Sequence, residues 1–134
     1  MSREIKFRIW DKSFKKFLED DYESKNVIDR DGKLFMYVLS ETFRDLYFYK
    51  LLKNIEISEY TGLKDKNGKE IYEGDLVKIL DNVNETICEV RFEYGGYILK
   101  NGDLREELLY LEERFMEVIG NIYENPELLE EKNG

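Results

Sequence analysis

The sequence predicts a mainly β protein whose C-terminal part, from about residue 54 to residue 123, folds as a small antiparallel barrel or sandwich. Apolar and polar residues alternate over several short stretches, which is typical of half-buried strands. Turn-forming residues separate these stretches at intervals of about 8–12 residues, as in small barrels and sandwiches. The chain has 134 residues and a single proline, and this length suits one ordinary domain.

The first strand is predicted over residues 4–10, where the alternation is strict. One face carries Ile5, Phe7 and Ile9, and the other carries Lys6, Arg8 and Trp10. We expect a half-buried strand whose basic residues form a solvated face. A second short strand is predicted over residues 14–18.

The rest of the N-terminal segment contains a predicted hairpin and one ambiguous stretch. The prediction is a loop at 19–26, strands at 27–28 and 34–39, and a turn between them in which Gly32 supplies a positive φ. Residues 40–53 fit either a helix capped by Thr42 or a strand around residues 46–49. We expect residues 1–53 to pack with the C-terminal part.

Strand signals are stronger from residue 55 onward. Strands are predicted at 55–60, 76–80, 86–93, 98–100 and 117–123. The stretch 76–80 is apolar on both faces apart from Lys78, so it is expected to be a central strand. Cys88 lies at a strand position near Val90 and is interpreted as a small core residue.

The end of the chain combines a predicted helix with an acidic tail. A short helix is predicted within residues 104–114, where leucines recur at helical spacing, at Leu104, Leu108 and Leu111. Pro126 ends the last strand and begins the acidic tail, residues 126–134. The predicted domain organisation therefore has a barrel over residues 54–125.

Charge and composition exclude several kinds of chemistry. The chain has 21 basic and 30 acidic residues, so its formal net charge is −9, which disfavours nonspecific attachment to nucleic acid or anionic lipid. It has no histidine and one cysteine, which rules out a histidine base and an internal disulfide. We expect no enzymatic activity, no metal and no cofactor. The lone cysteine and the lack of an apolar leader or spanning stretch predict a cytoplasmic protein.

Residues 59–77 contain the most distinctive pattern, EYTGLKDKNGKEIYEGDLV. Three glycines fall six residues apart, Gly62, Gly68 and Gly74, and each is predicted at a turn that favours a residue without Cβ. Asp65 and Asp75 are predicted to accept hydrogen bonds from nearby turn amides. Every feature of this stretch can be interpreted as an instruction for folding.

The same stretch strongly resembles the signature of the YopX family. Residues 3–11 and 117–129 agree with the family as well, in the family's order along the chain. The resemblance implies a small protein encoded by a phage or prophage, mostly of Gram-positive bacteria, with an SH3-like barrel in its C-terminal part. It implies no catalytic residues.

The leading functional hypothesis is a non-catalytic binding module for a host or phage protein. The predicted interaction surface consists of exposed tyrosines and the N-terminal strand, namely Tyr60, Tyr72, Tyr94, Tyr97, Trp10, Lys6 and Arg8. Tyrosines on turns can stack on bases or grip a proline-rich peptide. Pairing of two copies along an exposed strand edge is a further expectation.

Three alternatives remain open at this point. The basic first strand favours a nucleic-acid-associated protein, and the net charge favours an acidic mimic of DNA. A metal-dependent nuclease would use Asp75 and Glu89 with Arg91. The nuclease is the least favoured of the three, because an arginine cannot be deprotonated to act as a base.

Overall fold

The computed structural model describes residues 5–18, 24–28, 34–39, 47–51, 54–80 and 85–129. Antiparallel strands dominate, which confirms the predicted mainly β class. The strands are β1 (Phe7–Asp11), β2 (Lys16–Leu18), β3 (Ser24–Ile28), β4 (Leu34–Leu39), β5 (Tyr47–Leu51), β6 (Ile55–Lys64), β7 (Glu70–Tyr72), β8 (Asp75–Leu80), β9 (Glu85–Glu93), β10 (Gly96–Asn101), β11 (Leu104–Glu107) and β12 (Met116–Asn121). Two 3₁₀ turns, Leu108–Tyr110 and Glu113–Phe115, lie between β11 and β12.

Residue contacts divide the chain into two compact units, one formed by Met1–Arg8 and Ile57–Gly134 and the other by Ile9–Glu56. The larger unit contains a five-stranded antiparallel sheet in the order β11-β10-β9-β8-β12. Strand β8 lies inside this sheet, as its apolar sequence predicts. The buried core of the unit consists of Ile71, Val77, Cys88, Val90, Leu99, Leu108 and Met116.

Two further segments complete the larger unit. Strand β6 pairs with β7 across the turn that contains Asn67 and Gly68, with Tyr60 opposite Tyr72. The backbone N–H of Tyr60 donates to the carbonyl of Lys6 over 2.9 Å. The predicted SH3-like closure of residues 54–125 stays a prediction.

The smaller unit contains a hairpin and a three-stranded sheet. Strands β1 and β2 pair with Trp10 opposite Phe17, and these two rings meet edge to face with centroids 4.9 Å apart. The sheet has the order β3-β4-β5 and is antiparallel. Residues 47–51 form β5, which agrees with the strand alternative there. The predicted turn at Gly32 lies outside the described residues.

The predicted helix within residues 104–114 is wrong. Residues 104–107 pair with β10 as strand β11, and only the two short 3₁₀ turns follow. Leu104 is 38% exposed whereas Leu108 is fully buried, so the leucine spacing does not mark one buried helical face. Pairing with β10 supplies the backbone hydrogen bonds that a helix would have made internally.

Two predictions in the N-terminal segment are also wrong. Ile5 and Phe7 are 68% and 46% exposed, so the predicted apolar face is buried only at Ile9. Residues 24–26 belong to β3 and are not a loop. The alternation locates a strand, but the faces that become buried depend on which elements cover it.

The described part of the chain contains no helix long and apolar enough to cross a membrane. Within the acidic tail, a single helical turn forms at residues 127–129. It begins after Pro126, whose carbonyl accepts a hydrogen bond from the backbone N–H of Leu129 over 3.3 Å. This position suits proline, because the first helical turn does not need its missing N–H.

Candidate interaction site

A cleft of about 480 Å³ opens beside the turn between β9 and β10, within the larger unit. We call it the hairpin cleft. Its principal lining residues are Glu93, Tyr94, Tyr97, Arg105, Glu107 and Leu109. Ligand sites in proteins commonly have volumes of about 300–1,000 Å³ and combine apolar walls with a few polar groups. The cleft has the size and composition of such a site.

The tip of the hairpin holds Tyr94 in an unusual conformation. Tyr94 and Gly95 have φ values of +52° and +82°, and they connect the paired residues Glu93 and Gly96. Positive φ at both central positions matches the twist of a two-residue hairpin, but in a tyrosine it costs about 1–2 kcal/mol. The side chain is 95% exposed, so burial does not offset this cost. Such strain often accompanies a functional position.

Arg105, on strand β11, is held at the cleft by an ion pair and a cation–π contact. Nη1 of Arg105 lies 2.8 Å from Oε2 of Glu93, and its guanidinium lies 5.0 Å from the centre of the Tyr94 ring. Oε1 of Glu93 also lies 3.4 Å from Nη1 of Arg91 and 4.0 Å from Nζ of Lys100. Among the described residues, no basic side chain lies within ion-pair distance of Glu107. Glu107 therefore gives the cleft a local negative charge.

Leucine and tyrosine side chains add apolar surface to the cleft. Leu109 is 74% exposed, and it follows the fully buried Leu108. The anchoring of Leu108 in the core fixes the 3₁₀ turn that presents Leu109. Tyr97 packs edge to face on Phe92, with ring centroids 5.1 Å apart, which restrains its ring. The cleft thus presents restrained apolar surface beside charged groups.

The distinctive stretch at residues 59–77 builds the frame of the larger unit. The carboxylate of Asp65 accepts three backbone hydrogen bonds, from Asn67 and Lys69 to Oδ1 over 2.8 and 2.9 Å and from Val118 to Oδ2 over 2.9 Å. Asp65 is 1% exposed, and it joins the β6–β7 turn to β12. Gly68 has a φ of +79° in this turn, as predicted. The predicted turn at Gly62 is wrong, because Gly62 lies within β6, where the pairing with β7 shifts register.

Asp75 is a second buried aspartate that anchors this frame. Its Oδ1 lies 2.6 Å from Nη1 of Arg8, and its Oδ2 accepts the backbone N–H of Tyr72 over 2.8 Å. Burial raises the pKa of Asp75 above its usual 3.8, and Arg8 with the Tyr72 N–H lowers it only in part. The adjacent Gly74 has a φ of +88°. Both the aspartate and the glycine act as the turn residues that the sequence predicts.

The structure divides the predicted interaction residues into two groups. Tyr94 and Tyr97 line the hairpin cleft, whereas Tyr60 and Trp10 are only 3% and 8% exposed. The prediction that these last two form an exposed surface is therefore wrong. Tyr72 is half-buried, and its ring centroid lies 5.4 Å from that of Tyr60.

The predicted solvated basic face is wrong at Arg8, whose side chain is only 19% exposed. Its guanidinium lies 5.0 Å from the centre of the Tyr72 ring and also contacts Asp75. Lys6 makes a 2.7 Å ion pair with Glu70. These two cations bind acidic groups and aromatic rings of their own unit.

Both carboxylates of the nuclease alternative contact arginines in the described structure. Asp75 binds Arg8, and Glu89 lies 3.3 Å from Nε of Arg91. The described residues contain no group of three or more Cys, Asp or Glu side chains that could hold a metal ion. Cys88 is fully buried, and burial, together with Glu106, raises the pKa of its thiol to about 11.

Sequence reasoning missed Arg105, Glu107 and Leu109. The leucine spacing predicted a helix over all three residues. The edge strand that contains Arg105 and Glu107 and the 3₁₀ turn that contains Leu109 were therefore not expected. Leu108 is buried and the adjacent Leu109 is exposed, although both are leucines. Neither the helical nor the strand period of apolar residues distinguishes them. No signal within the sequence connects these residues with Tyr94, because only the pairing of β10 with β11 brings them together.

Comparisons with known proteins match the sequence and fold along most of the chain. The family described as YopX protein matches residues 6–130. The chain belongs to the YopX family. A protein of this family from the SPβ prophage of Bacillus subtilis (strain 168), YopX, is 36% identical over 70 residues, which are 47% of this chain and 52% of that protein. The match thus spans about half the length of that relative.

Two solved structures share the YopX fold with this chain. The crystal structure of YopX from Bacillus subtilis has a TM-score of 0.64 at 27% identity and covers 91% of this chain and 95% of that one. The crystal structure of protein EF1440 from Enterococcus faecalis has a TM-score of 0.62 at 26% identity and covers 96% and 99% of the two chains. These likenesses extend along nearly all of each chain.

Proposed function

We propose that this chain is a non-catalytic binding module that recognises a host or phage protein through the hairpin cleft. The observation that carries the proposal is the exposed Tyr94, held at positive φ beside a cleft of about 480 Å³. Leu109 adds exposed apolar surface, and Glu107 adds charge. Anchoring aromatic side chains with polar neighbours are typical of protein-binding surfaces.

A nucleic-acid ligand receives less support from the described residues. Lys6 and Arg8, the basic residues that motivated this alternative, bind Glu70 and Asp75 at 2.7 and 2.6 Å. Arg105 in the cleft likewise pairs with Glu93. Cations already paired with carboxylates contribute little to phosphate binding, which depends on the release of counterions. A protein ligand therefore suits the cleft better.

The experiment compares retention of bacterial proteins by three immobilised forms of the chain. Lysate of Bacillus subtilis, the host of the SPβ relative, is passed over the wild type, Leu109→Lys and Tyr110→Lys, and retained proteins are quantified by mass spectrometry. Leu109 and Tyr110 are adjacent and 74% and 78% exposed, but only Leu109 lines the cleft. The substitutions are therefore matched in charge and exposure.

We expect at least one protein to be retained by the wild type and by Tyr110→Lys and to be lost with Leu109→Lys. A lysine placed in the apolar wall desolvates a charge when a ligand binds, which weakens the complex. Equal retention by all three forms would contradict the cleft as the recognition site. Circular dichroism of each form verifies that folding is unchanged.

A further inference from the structure

Strand β11 is an exposed sheet edge directly beside the hairpin cleft. It pairs with β10 and ends the five-stranded order β11-β10-β9-β8-β12. All four of its residues are exposed. An edge strand presents backbone N–H and C=O groups that have no partner strand on its outer side. These groups can accept an added strand from another chain.

The edge and the cleft share side chains. Arg105 and Glu107 both line the cleft, and residues two apart in a strand lie on the same face of the sheet. A strand added to β11 would place its own alternate side chains on that face as well. Backbone hydrogen bonds would then supply affinity, and the cleft would select side chains.

We propose that the partner binds as an extended segment that adds a strand to β11 and places alternate side chains over the hairpin cleft. This inference rests on the proposed function and specifies how the partner binds. The segment carries a basic residue opposite Glu107, the cleft carboxylate that has no ion pair among the described residues. A neighbouring apolar residue on the same face contacts Leu109 and Tyr94.

A second copy of the chain suits this edge less well than a foreign segment. In an antiparallel pair, two residues lie opposite one another only if both point their backbone N–H and C=O groups toward the partner strand or both point them away. Adjacent residues differ in this respect, so when two identical strands pair about a two-fold axis, the residue on the axis faces the same residue of the other copy. The two registers that pair at least three residues of β11 centre on Arg105 or on Glu106. The first sets two arginines opposite one another and the second sets two glutamates opposite one another, which is destabilising. The second register also places Arg105 opposite Glu107, but Arg105 is already paired with Glu93 at 2.8 Å. A segment that brings a basic residue not already held by a carboxylate therefore suits Glu107 better than a second copy does.

The test uses a synthetic peptide, acetylated and amidated, in which valine and lysine alternate on one face and threonines occupy the other. Two further forms of the peptide are N-methylated on alternate residues. One form carries the methyl groups on the valines and lysines, and the other carries them on the threonines. Only one set of N–H groups points toward β11 in a bound strand. We therefore expect one methylated form to lose about tenfold or more in affinity, since it loses several hydrogen bonds. The other form should bind as the parent does.

Protein variants provide the matched control for charge. Glu107→Lys should weaken binding of the lysine peptide, whereas Glu113→Lys, which changes an exposed residue outside the cleft, should not. A peptide with glutamate in place of lysine should show the opposite preference between wild type and Glu107→Lys.

The outcomes separate this inference from the proposed function. Equal affinities of the two methylated forms, or no binding of the parent peptide at millimolar concentration, would overturn strand addition at β11. Loss of a lysate protein with Leu109→Lys would still support the cleft as a recognition site. If both results were negative, the proposed function and the inference would fail together.

Discussion

At the scale of single residues, Asp65 explains why the β6–β7 turn has its sequence. Burial alone raises the pKa of Asp65, but backbone N–H groups of Val118, Lys69 and Asn67 outweigh burial and hold the pKa below its usual 3.8. The folded state therefore binds this proton less readily than the unfolded state does. The stability that Asp65 contributes is fully present above pH 3.8 and is lost as the pH falls through the lower, folded-state pKa.

We expect Asp65→Asn to lower the free energy of unfolding by about 1–3 kcal/mol at neutral pH, because an amide cannot accept the same three hydrogen bonds with both oxygens. The difference from wild type should shrink as the pH is lowered below 4, where wild-type Asp65 also loses its charge. Urea denaturation at a series of pH values measures it. Asp103→Asn, in an exposed turn, is the control, and a difference independent of pH would contradict this account.

At the scale of elements, β12 depends on a glycine at its end. Pairing with β8 shifts register between Val118 and Gly120, and a Cβ on Gly120 would lie 2.5 Å from Oδ1 of Asn125. That oxygen accepts the backbone N–H of Asn121 over 3.2 Å. The glycine thus permits the Asn125 side chain to cover the end of the strand.

We expect Gly120→Ala to destabilise the protein by about 1–3 kcal/mol, because Asn125 must move and give up this contact. Asn125→Ala should then cost less in the Gly120→Ala background than in the wild type, which a double-mutant cycle by thermal or urea denaturation measures. Additive effects of the two substitutions would show that the steric contact is unimportant.

At the scale of the whole molecule, the larger unit combines segments from opposite ends of the chain, and the Arg8–Asp75 pair connects them. The side chains are 19% and 2% exposed, so removal of either leaves the other charge in a poorly solvated place. We expect Arg8→Met to cost about 3 kcal/mol or more in unfolding free energy. Replacing Asp75 by Asn in the same chain should restore part of this loss.

The exposed pair Lys12–Glu56 provides the comparison, since its side chains are 45% and 49% exposed. Lys12→Met should change stability by less than about 1 kcal/mol. Calorimetry or urea denaturation of the three variants would test this ranking. An Arg8→Met effect no larger than that of Lys12→Met would show that the buried pair does not hold the N-terminal strand.

Much of the local structure followed from the sequence. Alternation located β1 and β6, and Gly68 and Gly74 marked turns at which φ is positive in the structure. These features depend on neighbours in the chain, so short-range patterns contain the necessary information. The same reasoning placed Asp65 and Asp75 as hydrogen-bond acceptors in turns.

Local pattern by itself determined the β class, the positions of most strands and the turns at Gly68 and Gly74, because backbone preference and side-chain alternation act over a few residues. Only the tertiary structure decided that Arg8 is bound by Asp75, that Tyr60 is buried and that β11 is a strand beside the hairpin cleft. Each of these depends on residues distant in sequence, and burial or pairing by such residues overrides the local preference.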